Sequence, residues 1–178
     1  IWQYNDCWPA PSWSAVDYYL RRKAHYFYIR RAYAPVIVSF ERDEKGALSI
    51  WVVNDTEKTS ACELRISRCD CMKTETLLSK RFEKPSNASA KIAKVPLKGI
   101  AFDKEFIIAE IFRDGHSIAR NIFFGVFPKE FRWPAAKHGH RISHHKLSDT
   151  RFKVEISSDV FMKDVLFDID AVDPDALW

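Results

Sequence analysis

The sequence lacks the features that mark membrane proteins and nucleic-acid-binding proteins. None of its apolar runs approaches the roughly 20 residues that a membrane-spanning helix needs. The net charge is only +4, and lysine and arginine alternate with aspartate and glutamate along most of the chain. Because the basic residues do not gather into a stripe, we expect no nucleic-acid partner, and we expect no membrane partner either.

The cysteines lack the spacing of a structural zinc site. Zinc sites usually use Cys-x₂₋₄-Cys pairs with partners at a second spacing, whereas this chain has Cys7, Cys62, Cys69 and Cys71. Cys69 and Cys71 are expected on one face of a strand, which is poor geometry for a disulfide between them. We therefore expect buried or half-buried free thiols, no metal and no cofactor.

The sequence also lacks an initiator methionine, a basic leader and the apolar segment of a signal peptide. Its first residue already falls in a pattern typical of a strand. We therefore expect the chain to be part of a larger protein. Its length allows one domain of about 100 residues with partial units on either side.

The first fourteen residues are rich in tryptophan and proline, with three and two of them respectively. Residues 1–4 are typical of a short extended segment. Asn5 and Asp6 are turn-forming residues, and Pro9 and Pro11 exclude regular structure in the loop that follows.

A helix is predicted after this loop. Ser14 is a candidate N-cap, and Asp17 would lie at the positive end of the helix dipole. Apolar residues recur at helical spacing from Val16 to Tyr28, which predicts a face that packs against a sheet or another helix. Pro35 ends the helix. The order strand, loop, helix is that of one βα unit of a parallel barrel.

These residues carry a resemblance to a known family. Residues 2–9 read WQYNDCWP, followed by SWS at 12–14 and DYY at 17–19. The pattern resembles the last strand and last helix of the catalytic barrel in glycoside hydrolase family 2, and within that family the β-mannosidases. The match continues through three further runs: Arg22-Lys23-Ala24, Arg30-Arg31 and Ala34-Pro35-Val36.

The resemblance implies a retaining glycosidase that acts on β-mannosides or oligosaccharides, in the periplasm, in lysosomes or outside the cell. Such enzymes need two carboxylates about 5–5.5 Å apart, and in this family both are glutamates on earlier barrel strands. Residues 1–40 contain no glutamate. We therefore expect the catalytic pair to lie upstream, with no catalytic residue in this chain, which should be inactive alone.

The resemblance also implies roles for residues of the first loop. Trp2 would form an apolar platform under the sugar next to the scissile bond. Asn5 and Asp6 would reach sugar hydroxyls or order the loop by hydrogen bonding. Trp8 and Trp13 are expected to pack beneath the loop and against the helix.

From Val36 onward the apolar period changes from helical to two. Seven strands are predicted, at residues 36–41, 48–53, 62–68, 72–82, 92–97, 106–112 and 118–127, with a hairpin turn at Asp114-Gly115. Seven short strands with regular turn signals are typical of an immunoglobulin-like β-sandwich, which the resemblance also implies.

The predicted fold class is therefore mainly β, in three parts. Residues 1–34 are the strand–loop–helix remnant of a (β/α)8 barrel. Residues 35–130 are the immunoglobulin-like β-sandwich, and residues 131–178 are a linker and an incomplete second β-domain.

The last part begins with aromatic anchors between two prolines at 127–134. Residues 137–146 then contain four histidines, at 138, 140, 144 and 145. Gly139 argues against a helix, and the run contains no cysteine or acid, so we interpret it as a solvated connection. Strands are predicted at 152–156 and 160–170. Because an isolated pair of strands is marginal in water, we expect it to pair with the sandwich or with another copy of the chain.

Two alternatives to a β-mannosidase segment remain open. The sandwich is by itself a candidate carbohydrate-binding module, although Trp51, Trp133 and Trp178 share no strand. We interpret Trp51 as covering a core or an interface. The other alternative is a segment of a related exo-β-glucosaminidase or β-galactosidase, since fold analogy alone does not separate these enzymes. Asn54 and Asn87 begin glycosylation sequons, a pattern short enough to arise by chance.

Overall fold

A computed structural model of the chain describes residues 3–135 and 139–166. The chain divides into two compact units, one made of Ile1–Pro35 with Asp164–Trp178 and the other of Val36–Lys163. Several predictions lie wholly or partly outside the described residues: the extended segment at 1–4 with the platform Trp2, the histidine at 138, the end of the strand predicted at 160–170, and Trp178.

The first unit contains the helix α1, which spans Ala24–Ala32. The prediction that the helix begins after Ser14 is wrong. Lys23 occupies the N-cap position and makes no side-chain cap hydrogen bond. No residue of α1 is fully buried, so the predicted packing face is only partly covered within the part of the chain that the structure describes.

Residues 17–21 form a tight turn in place of the first helical turns. The Asp17 carbonyl accepts a hydrogen bond from the Leu20 amide at 3.0 Å, and the Asp17 amide donates to the Arg21 carbonyl at 2.9 Å. The Asp17 carboxylate accepts the Arg21 amide at 2.9 Å. Leu20 has a φ of 65°, a left-handed conformation that interrupts a right-handed helix. The acidic side chain therefore stabilises a turn and not a helix end.

The second unit contains two antiparallel sheets whose seven strands confirm the predicted β-sandwich. A three-stranded sheet has the order β1-β2-β5, and a four-stranded sheet has the order β4-β3-β6-β7. The strands are β1 (Val36–Arg42), β2 (Ala47–Asn54), β3 (Ser60–Cys69), β4 (Thr74–Lys84), β5 (Ala88–Pro96), β6 (Phe106–Arg113) and β7 (His116–Phe123). The hairpin turn at Asp114-Gly115 between β6 and β7 is also confirmed.

The inward faces of the two sheets share one apolar core. It is built from alternate residues of β1, β2 and β5 on one side and of β3 and β6 on the other. Leu48, Ile50 and Val52 of the first sheet and Leu64 and Ile66 of the second are completely buried. The period of two read from the sequence therefore corresponds to the side chains that face this core.

Two residues on the outer face of β3 are also buried. Ser67 and Cys69 lie on the same side of the strand as Glu63 and Arg65, because β3 pairs with β6 without a register shift. The register shift between β3 and β4 falls between Ile66 and Ser67, where Leu77 of β4 is the extra residue, so the alternation of β3 is unchanged. Ser67 and Cys69 are 6% and 5% exposed. Cys69 belongs to a second apolar cluster on this outer face.

The second cluster covers the outer face of one end of the four-stranded sheet. Phe106 and Ile108 of β6 point away from the main core and are buried with Phe131. The centroids of the Phe106 and Phe131 rings are 6.1 Å apart, and Trp133 lies against Phe131 at 4.5 Å. The predicted linker at 127–134 is therefore packed onto the sheet by its aromatic residues.

From His140 onward the histidine-rich run forms a strand, so its interpretation as a connection is wrong, although its residues are largely exposed. β8 (His140–Ser148) and β9 (Arg151–Ser158) pair as an antiparallel two-stranded sheet of their own. The strand predicted from residue 160 is absent over the described residues 160–166. The polar run is a strand because β9 supplies hydrogen-bond partners for its backbone, and both faces of this hairpin are largely exposed.

The loop between β2 and β3 is held by one buried asparagine. Asn54 is completely buried, and its amide nitrogen donates to the carbonyls of Thr56 at 2.9 Å, Lys58 at 3.3 Å and Pro85 at 2.6 Å. Its amide oxygen accepts the Thr56 amide at 3.1 Å. The buried Lys84 ammonium also donates to the Lys58 carbonyl, at 2.5 Å. The sequon at Asn54 is therefore inaccessible in the folded chain, whereas Asn87 is exposed.

Replacing Asn54 with alanine should destabilise the sandwich strongly. The substitution leaves several partly buried carbonyls without a donor, which should lower the free energy of unfolding by about 3 kcal/mol. Urea unfolding of the chain measures this loss. Glu57→Ala, at an exposed position in the same loop, is the control and should change stability little. Equal losses in the two variants would contradict the proposed role of Asn54.

Gly125 should tolerate alanine less well than Gly99 does. Both have positive φ values, 71° and 88°, but an added Cβ would overlap the Phe102 ring at Gly125 and meet open space at Gly99. Backbone strain of about 1 kcal/mol applies to both, and overpacking adds about 2 kcal/mol at Gly125 alone. Urea unfolding should therefore place Gly125→Ala well below Gly99→Ala in stability. Similar losses would show that Phe102 moves aside.

Candidate functional site

The candidate site is the loop that begins the chain, closed at its base by backbone hydrogen bonds. The amides of Ala15 and Val16 donate to the Tyr4 carbonyl at 3.0 and 2.9 Å, and the Asp6 amide donates to the Val16 carbonyl at 3.0 Å. The strand predicted at residues 1–4 is not present in its described part, because Gln3 has a φ of 50° and lies in a turn. Among the described residues of this segment, Asn5 alone pairs, as a single bridge in parallel with Val16.

The residues between these paired segments, 7–13, form what we call the aromatic loop. Its two described tryptophans, Trp8 and Trp13, are 66% and 71% exposed, and Tyr4 beside it is 46% exposed. The prediction that Trp8 and Trp13 pack beneath the loop and against the helix is wrong for the described chain. The aromatic side chains are presented outward, and the loop must be held together by other contacts.

Those contacts come from four polar side chains, Asp6, Ser12, Ser14 and Lys23, which we call the Asp6–Lys23 cluster. The Asp6 carboxylate accepts the Ser12 hydroxyl at 2.5 Å and the Lys23 ammonium at 3.1 Å. Lys23 also donates to the Ser12 carbonyl at 3.1 Å and the Ser14 hydroxyl at 2.8 Å. The Ser14 hydroxyl donates to the Val16 carbonyl at 2.9 Å, and its amide donates to the Ser12 hydroxyl at 3.0 Å.

The cluster keeps Asp6 ionised. Its side chain is only 8% exposed, against 28% for that of Lys23. Hydrogen bonding with Ser12 and Ser14, followed by the ion pair with Lys23, lowers the pKa of Asp6 although desolvation opposes the shift. A carboxylate with a lowered pKa that is already bound by its neighbours is poorly suited to act as a general acid near neutral pH.

The structure gives the predicted site residues different surroundings. Asn5 is exposed, and its side-chain amide makes one long hydrogen bond, at 3.4 Å, to the Asp6 carbonyl. Asp6 points into the cluster. Of the two possible roles, contact with hydroxyls or ordering of the loop, the contacts of Asp6 support ordering and the exposure of Asn5 leaves its side chain available to a ligand.

The role of Lys23 is not predicted by the sequence motif in which it stands. Lys23 precedes a helix whose N-terminal end carries partial positive charge, which disfavours a lysine. A cation at that position is a sign that it pairs with an acid elsewhere, and Asp6 is 17 residues away in the chain. Ser14 was predicted to act as a helix cap and instead belongs to the cluster.

The sandwich offers a weaker candidate at Trp51. Its indole nitrogen donates to the Glu41 carboxylate at 2.8 Å, and the Lys91 ammonium lies 5.0 Å from its ring centroid. The ring lies on the outer face of the three-stranded sheet, opposite the buried Ile50 and Val52. The ring therefore does not cover the sandwich core, whereas its placement at an interface stays a prediction. Glu41 and Lys91 both lie against the indole.

An open depression of about 770 Å³ lies on the outer face of the four-stranded sheet. The Arg65 guanidinium lies 4.4 Å from the centroid of the Phe112 ring at this depression. Glu63 pairs with Arg65 at 3.0 Å and accepts the Ser79 hydroxyl at 2.9 Å. Because the aromatic face is covered by arginine and the acid is already paired, this surface is not an open sugar platform.

The histidines of β8 do not converge. His140 and His144 lie on one face of the strand, and His145 lies on the other, 3.8 Å from Glu155. Over residues 3–135 and 139–166, no group of three or more histidine, cysteine or acidic side chains is arranged to hold a metal ion. No helix in the same residues is long and apolar enough to cross a membrane. Cys7 is exposed, and the other three cysteines are buried.

Comparison with known proteins gives the same family as the N-terminal motifs. Residues 46–130 match the family described as the Mannosidase Ig/CBM-like domain. The chain is also 28% identical to β-mannosidase B of Thermothelomyces thermophilus over 195 aligned positions, which cover 93% of this chain and 22% of that protein. The resemblance to β-mannosidases of glycoside hydrolase family 2 is confirmed.

Solved structures extend the likeness to the fold. The crystal structure of β-D-mannosidase from Dictyoglomus thermophilum superposes with a TM-score of 0.77 at 26% identity and covers 89% of this chain. An exo-chitosanase of Amycolatopsis orientalis superposes with a TM-score of 0.51 at 18% identity over 68% of this chain, which shows a shared fold alone. The chain spans about a fifth of the length of the mannosidases it matches, 22% and 20%.

The Asp6 carboxyl should titrate below the value of about 3.9 that is usual for aspartate. Because its pKa is lowered in the folded chain, its contribution to stability is present above that usual value and is lost as the pH falls through the lowered pKa. Carbon-detected NMR titration of the carboxyl measures the midpoint, and Ser12→Ala and Lys23→Met should each raise it.

Asp43 provides the control for this titration. Its pKa is also lowered, by Lys94 and by the Ala47 amide, and neither partner belongs to the Asp6–Lys23 cluster. The Asp43 midpoint should therefore be unchanged in Ser12→Ala and Lys23→Met. An Asp6 midpoint at or above the usual value in the unaltered chain would contradict the geometry of the cluster.

Proposed function

We propose that this chain is a segment of a retaining glycoside hydrolase that acts on β-mannosides, with its catalytic carboxylates upstream of residue 1. The sandwich is a structural support in that enzyme. The observation that carries the proposal is the exposure of large apolar side chains in the unit that begins the chain. Eight such residues are exposed between residues 3 and 35: Tyr4, Trp8, Trp13, Tyr18, Tyr19, Leu20, Tyr28 and Tyr33.

Exposure on this scale is unusual for a unit that is complete by itself. Soluble domains rarely leave contiguous apolar patches uncovered, and large ones mark interaction surfaces. The helix α1 has no buried residue, although amphipathic helices normally bury one face. An upstream barrel, of which residues 1–34 would be the last βα unit, supplies the missing cover and fits the family resemblance.

The substrate class rests on the relatives. The similar proteins from Thermothelomyces thermophilus and Dictyoglomus thermophilum are named as β-mannosidases. Within the chain, Trp2 is the proposed apolar platform and Asn5 the proposed polar contact to the sugar. Asp6 is proposed to order the loop that carries both.

The upstream assignment of the catalytic carboxylates follows from the chemistry of retaining enzymes. Two carboxyl groups about 5–5.5 Å apart are required, one of which must be protonated at the working pH. The acids of residues 1–40 are Asp6 and Asp17. Asp6 is ionised within its cluster, and the Asp17 carboxylate accepts a backbone amide in the turn at 17–21. Neither is suited to the role, so the catalytic pair is assigned upstream.

The test is hydrolysis of a panel of aryl β-glycosides by this chain and by the full-length protein that contains it. We expect the full-length protein to hydrolyse the β-mannoside and this chain to hydrolyse none. Activity on the β-glucosaminide or β-galactoside alone would favour a related exo-glycosidase. Hydrolysis by this chain would contradict the upstream assignment. Sugar binding by the isolated chain, without activity from either protein, would favour a carbohydrate-binding module.

A matched pair of tryptophan variants in the full-length protein tests the platform. Trp2→Ala should lower kcat/KM by about tenfold or more, since a stacked aromatic contact contributes on the order of 1–2 kcal/mol. Trp51→Ala removes an accessible tryptophan of the sandwich and should leave kcat/KM unchanged. Equal effects of the two substitutions would contradict the platform.

A further inference from the structure

Lys23 connects three separate parts of the unit that begins the chain. Its ammonium group lies within 3.4 Å of four oxygen atoms, which belong to Asp6, Ser12 and Ser14. Asp6 precedes the aromatic loop, Ser12 belongs to it and Ser14 follows it, while Lys23 itself immediately precedes α1. These contacts span 17, 11 and 9 residues of sequence.

The aromatic loop has no helix or strand hydrogen bonds that could substitute for these contacts. Residues 7–13 form neither helix nor strand, and they include two prolines that cannot donate backbone hydrogen bonds. The Ser12 hydroxyl donates to Asp6 and accepts the Ser14 amide, at 2.5 and 3.0 Å. Lys23 supplies the only positive charge in this cluster, so its removal leaves a largely buried carboxylate without a counter-ion, which is costly.

We infer that Lys23 is a positioning residue for the sugar-binding side of the loop. By neutralising Asp6 and tying both ends of the aromatic loop to the start of α1, it holds Asn5 and the residues beside it in one arrangement. The inference rests on the proposed function, because it concerns the residue that maintains the conformation of the proposed sugar-binding site. Lys23 does not contact the sugar, and its effect is transmitted through Asp6.

The kinetic test uses Lys23→Met in the full-length protein, which keeps the length of the side chain and removes its charge. Because substrate contacts are misplaced while the catalytic carboxylates are untouched, KM for the aryl β-mannoside should rise about tenfold and kcat should change less than about threefold. Lys23→Arg keeps the charge and should restore at least part of the loss.

Lys94→Met is the matched control. Lys94 also pairs with an aspartate, Asp43, at 2.6 Å, but this pair lies in the sandwich. Its removal should leave KM and kcat unchanged. Asp6→Asn should raise KM as Lys23→Met does, and the double variant should be no worse than Lys23→Met, because the two residues act as one unit.

Hydrogen exchange followed by mass spectrometry provides a readout that does not need activity. In Lys23→Met, the amides of Asp6, Ser14, Ala15 and Val16, which donate to cluster or neighbouring oxygens, should exchange faster. Peptides from β2, β3 and β6 should exchange as in the unaltered protein. The same peptides should be unaffected by Lys94→Met, apart from those next to Lys94.

The outcomes separate the inference from the proposed function. An unaltered protein that hydrolyses no β-mannoside overturns the proposed function and with it the role of Lys23 in sugar binding. An active protein whose Lys23→Met variant keeps its KM overturns the inference alone, even if residues 3–16 exchange faster. Faster exchange throughout the sandwich also overturns it, because Lys23 would then support the whole fold. Faster exchange confined to residues 3–16 together with a raised KM supports it.

Discussion

Burial of the inward faces of two antiparallel sheets is the constraint on which the sandwich depends. Side chains from both sheets that are completely or almost completely buried meet in one cluster, and removal of apolar surface from water is the main favourable term in folding. The strand registers follow from this burial, because a shift by one residue would turn every core side chain toward solvent. The opposite face of β3 and β6 contributes Cys69, Phe106 and Ile108 to a second apolar cluster.

Outside the sheets, the loops are held in place by hydrogen bonds from polar side chains. Asn54 satisfies the carbonyls of the loop that follows β2, and the buried Lys84 adds a donor to the same loop. The Asp6–Lys23 cluster holds the aromatic loop in a comparable way. In both places irregular backbone is ordered by a side chain that makes three or more hydrogen bonds, as buried polar groups require.

The two units of the chain differ in how completely they bury their apolar residues. The sandwich has a continuous core, and its aromatic residues at 124, 131 and 133 pack on Phe106 and on one another. Over residues 3–35, the unit that begins the chain exposes most of its aromatic rings. This contrast is expected if the sandwich is a domain in its own right and the first unit is one part of a larger barrel. It also explains why the sandwich alone matches a family described as a domain.

Local sequence determined the strands and the hairpin turn, because a two-residue alternation or a short turn motif is enough to predict them. Strict alternation identified the seven strands of the sandwich because each buries one face, and Asp114-Gly115 marked a hairpin because glycine accepts the required positive φ. The motif at residues 2–9 identified the family. It also placed Asn5 and Asp6 at the candidate site, although it did not distinguish their surroundings.

Tertiary structure decided the features that depend on a distant partner. Residues 14–22 have helical spacing of apolar residues, yet Lys23 donates hydrogen bonds to Asp6 and Ser14, and the turn at 17–21 replaces the first helical turns. The polar run at 140–148 is a strand because β9 pairs with it. Trp8 and Trp13 are exposed, although their size favours burial. Periodicity reports which face of a segment is apolar, whereas hydrogen-bond partners far along the chain decide where the segment begins and what covers it.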